Sequence, residues 1–144
     1  DEQYDNAREC FRLLKDDGKL VVQDRTIEDV LSQDPATWIR NTLIEMFPRL
    51  VSFEEKRRPR SDDYEGILSK AGFAKVKQHT FVETRRTYSS AQALREEVMK
   101  RKGKSILFEL SDAELSQYCD ALEAKSATHA LVEKDPWSIW IAEK

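Results

Sequence analysis

The stretch Arg8–Arg25, RECFRLLKDDGKLVVQDR, constrains the fold more than any other part of the chain. Tyr4, Ala7, Phe11 and Leu14 recur at three- and four-residue steps, which places them on one face of a helix. Glu9, Arg12, Lys15 and Asp16 fall mainly on the other side, and Glu9 three residues before Arg12 adds an ion pair worth about 0.2–0.5 kcal/mol. Gly18 is expected to take the positive φ that ends a helix, a conformation that would strain Asp17. Leu20-Val21-Val22 then runs without polar alternation. It predicts a strand apolar on both faces, the kind buried in a parallel sheet with helices on each side. Gln23, Asp24 and Arg25 follow at its carboxyl end, where open α/β sheets bind ligands. The same three residues also suit an ordinary solvated loop.

The chain has 144 residues, the size of one domain. It is 40% apolar and 35% charged, and its 3 Trp, 4 Tyr and 6 Phe can supply a core. A net charge of −3 gives no argument for general nucleic-acid binding. Cys10 and Cys119, far apart in predicted helices, read as reduced thiols of an intracellular protein. No apolar run approaches the ~20 residues of a membrane span, and no signal peptide opens the sequence. A cytoplasmic protein with no membrane partner is expected.

Downstream, Ile27, Val30 and Leu31 are spaced for a short helix. Asp34-Pro35 starts a longer one, with Asp34 as cap and Pro35 in the first turn, running to about Met46 with Ile39 and Leu43 inside. Residues 54–61, EEKRRPRS, read as a charged break, with Ser61 capping the next helix and Tyr64, Ile67, Leu68 and Ala71 facing inward. Gly72 ends that helix, and Phe73 packs back on it. Ala74–Tyr88 reads as a long edge strand. Ser89 or Ser90 opens a helix carrying Ala93, Leu94 and Val98. Ser111 and Glu114 form a capping box before Leu115, Tyr118, Cys119 and Leu122. Trp137–Glu143 reads as a last strand, buried on at least one face.

Three of these segments carry a resemblance. Glu9, Arg12, Leu13, Leu14, Lys15 and Gly18, followed by Leu20, Val21, Val22 and Asp24, match the pattern E-x-x-R-V-L-K-P-G-G and x-L-x-V-x-D. Tyr64–Val76, YEGILSKAGFAKV, matches L-L-x-x-A-G-F-x-x-V through Ile67, Leu68, Ala71, Gly72, Phe73 and Val76. Trp137–Glu143 is similar to a closing strand that often reads W-x-x-x-A-R-K, with one residue more between Trp137 and Ala142 and Glu143 in the Arg position. In this order they resemble the second half of class I S-adenosylmethionine-dependent methyltransferases, of the type 11/25-like small-molecule kind. The resemblance implies an α/β fold: the carboxyl-terminal half of a Rossmann-like sheet ordered 3-2-1-4-5-7-6, with strand 7 antiparallel. Leu20–Asp24 would be strand 5, and the whole chain, 1–144, one partial domain with lid-like helical insertions at 27–60 and 89–135. Asp17 stands where the family has the first of two glycines. The glycine-rich first-strand loop and the acidic ribose-binding residue of the family have no counterpart, since Gly18, Gly66, Gly72 and Gly103 are scattered. The expectation is therefore a parent enzyme using S-adenosylmethionine on a small-molecule acceptor, and a chain that by itself neither binds the cofactor tightly nor turns over. Strand 4 would be missing beside strand 5, so a homo-oligomer is expected, formed through residues 19–24 or by exchange of elements.

On the substrate side the candidates are Asp24 and Arg25 at the strand end, Trp38 and Arg40 on an inserted helix, and Arg57, Arg58 and Arg60 in the charged break. Arginines in such a place hold carboxylates or phosphates through paired hydrogen bonds. Arg57–Arg60 also suits a solvated basic turn, and Trp38 a core anchor. His79 and His129 lie fifty residues apart and, like the cysteines, give no metal or catalytic set. Lys100-Arg101-Lys102 fits a solvated helix end. A non-catalytic α+β interaction domain is the competing class.

Overall fold

The computed structural model describes residues 2–144. The stripe Tyr4, Ala7, Phe11 and Leu14 forms the inward face of α1 (Glu2–Leu13). Gly18 follows without the expected positive φ. What the site requires is space. A Cβ there would lie 2.9 Å from the Lys15 carbonyl oxygen, which already accepts the Gly18 N–H at 2.9 Å.

β1 (Lys19–Asp24) runs antiparallel to β3 (Val132–Glu143), with Lys19 opposite Glu143 and Asp24 opposite Ser138. The described residues form one three-stranded antiparallel sheet in the order β1-β3-β2, where β2 is Ala74–Thr87. Its central position buries Ser138, Trp140 and Ala142 of β3. The expected burial of Leu20-Val21-Val22 on both faces does not hold. Leu20 and Val22 pack onto the core, while Val21 is 59% exposed. An edge strand of an antiparallel sheet has one covered face, and a continuous apolar run does not change that. β2 is the other edge, exposed along most of its length.

Two helices complete the first of two units, Asp1–Val30 with Arg58–Val82 and Pro136–Lys144. α2 (Ile27–Val30) is nucleated by Thr26 and Asp29, which exchange backbone-to-side-chain bonds at 3.0 and 3.1 Å. α5 (Ser61–Lys70) is capped one residue earlier than expected, by the Arg60 N–H donating to the Asp63 carboxylate at 2.7 Å. Gly72 ends it at φ +110°, which lets the Phe73 N–H reach the Leu68 carbonyl and sets the Phe73 ring edge-on to Phe11.

The second unit is Leu31–Arg57 with Glu83–Asp135. Asp34 caps a 3₁₀ turn, Pro35–Thr37, that continues into α3 (Trp38–Met46). Pro48 ends α3, and the charged run beyond it is a break only at residues 58–60. Arg49–Arg57 forms α4, with Leu50 and Glu54 buried one turn apart and the Arg57 guanidinium 4.6 Å above the Phe53 ring. α6 (Ala91–Met99) begins at Ser90, whose Oγ accepts the Ala93 N–H. A second 3₁₀ turn, Ser105–Glu109, leads to α7 (Asp112–Lys125) and its Ser111–Glu114 capping box. Leu43, Leu94, Leu107, Leu115, Tyr118 and Leu122 fill the core of this unit.

Candidate functional site

In the first unit, side chains collect at the carboxyl end of β1. Asp24 accepts the Tyr64 hydroxyl at 2.7 Å through one carboxylate oxygen and the Arg25 N–H at 2.7 Å through the other. The Arg25 side chain is buried, with Nε donating to the Pro136 carbonyl at 3.3 Å and its guanidinium 4.2 Å above the Trp137 ring. Tyr64, brought here by the first turn of α5, stacks on Trp140 at 4.6 Å. Burial, and then the Asp24 carboxylate, push its hydroxyl well above the ordinary tyrosine range, so it stays a donor. Gln78 bridges the Ser138 and Ser61 hydroxyls at 3.0 and 3.2 Å, and Glu28 accepts the Ser61 N–H.

Tyr64 also borders an apolar groove of about 190 Å³ lined by Ala7, Cys10, Leu20, Val22, Ile67 and Leu68. Chemically, this end of the unit offers an apolar recess with a tyrosine–carboxylate pair at its margin. Such a pair orients a polar group by hydrogen bonding. Both Asp24 oxygens are already engaged, by the Tyr64 hydroxyl and by the Arg25 N–H.

The other sequence candidates are distributed differently. Trp38 is buried in the second unit, where Nε1–H donates to the Ala130 carbonyl at 3.0 Å. Arg40, expected to face an anionic substrate, is buried and paired with Asp135 at 2.8 Å, which Arg85 also approaches at 3.4 Å. Arg57 pairs with Glu54 and donates to the Ser105 hydroxyl. Arg58 belongs to the first unit and is half-buried. Exposed Arg60 lies 3.8 Å from Glu28. Asp24 and Arg25 are thus brought together, Trp38 and Arg40 serve the core of their unit, and Arg57 and Arg60 answer to different acids.

Sequence reasoning missed Tyr64 as the partner of Asp24, and it missed a buried ionic group in the second unit. There Lys104 contacts Glu133, and the Tyr88 hydroxyl donates to the same carboxylate at 2.8 Å. Burial lowers the Lys104 ammonium below its ordinary value against the opposing pull of Glu133. The available signal was Glu133 and Asp135 two residues apart on a strand, hence on one face.

Among the described residues no group of three or more His, Cys, Asp or Glu side chains is placed to hold a metal, and Cys10 and Cys119 are free thiols. No described helix is long and apolar enough to cross a membrane. No protein-family model matches the chain, and no curated protein matches it.

Proposed function

We propose that this chain is the carboxyl-terminal part of a class I methyltransferase domain whose parent moves a methyl group from S-adenosylmethionine to a small-molecule acceptor. The observation that carries the reading is the strand order. β1-β3-β2 with β3 central and antiparallel is the order 5-7-6 of that family, and the three sequence motifs fall on α1–β1, α5–β2 and β3. A Rossmann-like sheet whose other strands lie outside this chain accounts for β1 being an edge.

The residues present do not fit the cofactor. Gly18 is closed over Lys15, Gly72 over Phe11 and Gly103 over Arg85, and Gly66 lies inside α5. None leaves a loop of open backbone amides after a strand, which close approach to the cofactor requires. The cofactor belongs to residues outside this chain. What this chain contributes is the strand end on the acceptor side. Asp24, held by Tyr64, orients a polar group beside the groove, and the second unit supplies helices around its own core. Positioning of this kind is the main lever available for an in-line displacement.

Titration calorimetry tests the division of labour: S-adenosylmethionine added to the 144-residue chain should give no micromolar binding, and such binding would overturn it. The family reading is tested on the coding DNA upstream of Asp1. A glycine-rich strand-to-helix turn there supports it. A stop codon immediately upstream overturns it in favour of a non-catalytic interaction domain.

A further inference from the structure

We propose that Gln78 is a positioning residue: by clamping the first turn of α5 to β3 it sets the Tyr64 hydroxyl on Asp24. Its bearing on the reaction rests on the reading of that pair given above, whereas the clamp itself is a property of this chain.

Ser61 is the first sign of it. A serine that opens a helix ordinarily caps it, its oxygen accepting a backbone N–H two or three residues on. Ser61 lies one place too late for that, because Arg60 is the N-cap and the Asp63 carboxylate accepts the Arg60 N–H at 2.7 Å. The Ser61 hydroxyl makes tertiary bonds instead. It donates to Glu28 at 3.4 Å and accepts from Gln78 Nε2 at 3.2 Å. Its single proton goes to a carboxylate, so toward Gln78 it can only accept, and that fixes the amide with Nε2 facing the serines. The other Nε2 hydrogen goes to the Ser138 hydroxyl at 3.0 Å. One planar amide, on a strand whose exposure makes a glutamine look merely solvated, thus ties the helix to the sheet with both of its hydrogens.

The anchor points matter by where they sit. Ser138 is buried and stands opposite Asp24 in the β1–β3 pairing. Ser61 and Tyr64 are three residues apart in α5, hence on one side of the helix. The contacts close a ring: Gln78 to Ser138, Ser138 across the ladder to Asp24, Asp24 to Tyr64 at 2.7 Å, and Tyr64 through one helical turn to Ser61 and back to Gln78. The Tyr64 ring also stacks on Trp140 at 4.6 Å. Stacked rings tolerate sliding, while a hydrogen bond weakens steeply once misaligned. Removing the Gln78 amide opens the ring between Ser61 and β3, and the first turn of α5 is then no longer held in the place that aligns Tyr64 with Asp24.

Gln78→Met keeps the length of the side chain and removes both amide hydrogens, and its far-ultraviolet circular dichroism at pH 7 should match wild type. With the turn unclamped, Tyr64 gains solvent and loses the Asp24 bond, the two causes that raise its hydroxyl. It then ionises at about pH 10. Absorbance at 295 nm should therefore show one more tyrosine ionising before unfolding in Gln78→Met than in wild type. Adding Tyr64→Phe to Gln78→Met should abolish that step. Ser138→Ala cuts one arm of the clamp and should produce the same step. A merely structural loss would instead bring unfolding and the tyrosines to lower pH together, with no separate step. An equal number of early tyrosines in Gln78→Met and wild type overturns the proposal, as does a step that persists with Tyr64→Phe. Calorimetry with the cofactor and the upstream coding DNA read the family assignment instead, so the two proposals fail separately.

Discussion

Lys104→Met isolates the energetics of the buried ionic group. Glu133 is 3% exposed and Lys104 contacts its carboxylate, with the Tyr88 hydroxyl as a second donor at 2.8 Å. Methionine keeps the length of the lysine stem and removes its charge. Removing one partner of a buried pair costs about 3–5 kcal/mol, because the remaining charge is left in a poor solvent. Tyr88 still bonds to Glu133 in the variant, which places the expected loss at the lower end, about 3 kcal/mol. For a chain of this length that corresponds to a fall in Tm of about 10 °C. Glu133→Gln alone should cost a similar amount by stranding Lys104. The double variant Lys104→Met with Glu133→Gln strands neither group, and glutamine still accepts the Tyr88 hydroxyl. It should therefore lie within about 2 kcal/mol of wild type, with a coupling energy of at least about 4 kcal/mol. Urea titrations followed by circular dichroism measure all four chains. A Lys104→Met loss below about 0.5 kcal/mol, or a double variant as unstable as the sum of the singles, would refute the reasoning.

Gly72→Ala should destabilise the first unit by about 1–2 kcal/mol in the same titration, since alanine is strained at φ +110° and its Cβ would meet the Phe11 ring at 3.1 Å. Alkaline stability depends on Tyr64, Tyr88 and Tyr118, whose hydroxyls are all raised above the ordinary value, chiefly by burial. A raised folded-state value means stability that is complete below about pH 10 and lost as pH climbs beyond it. Absorbance at 295 nm should show these three tyrosines ionising only together with loss of circular dichroism, and early titration of all of them before unfolding would contradict this.

The local grammar of the chain was readable because the interactions concerned are local. The stripe of α1, the Asp34 cap, the Ser90 cap and the Ser111–Glu114 box each need only residues three or four positions apart. Burial of charge was not readable. Glu54 and Arg57 sit in EEKRRPRS, where every residue type argues for solvent, yet the spacing Leu50–Glu54 puts a carboxylate on the buried side of α4. Arg40 and Asp135 are 95 positions apart, and neither shows in sequence that the other will neutralise it. Val21 failed for the opposite reason. Its apolar character reads as burial, but Val21 lies on the face of β1 opposite Leu20 and Val22, and an unbroken apolar run does not tell which face the core covers.

The Asp24 site joins these two cases. Sequence pattern placed Asp24 at the end of a strand, which is where β1 ends. Only the fold supplied Tyr64, forty positions away, and with it the chemistry. A lone strand-end carboxylate would be a general base in search of a substrate. Both oxygens of this carboxylate are already engaged, one by the hydroxyl of Tyr64, which burial keeps protonated, and the other by the Arg25 N–H. The pair is built for holding a polar group in place. That favours a positioning role for the Asp24–Tyr64 pair in the first unit.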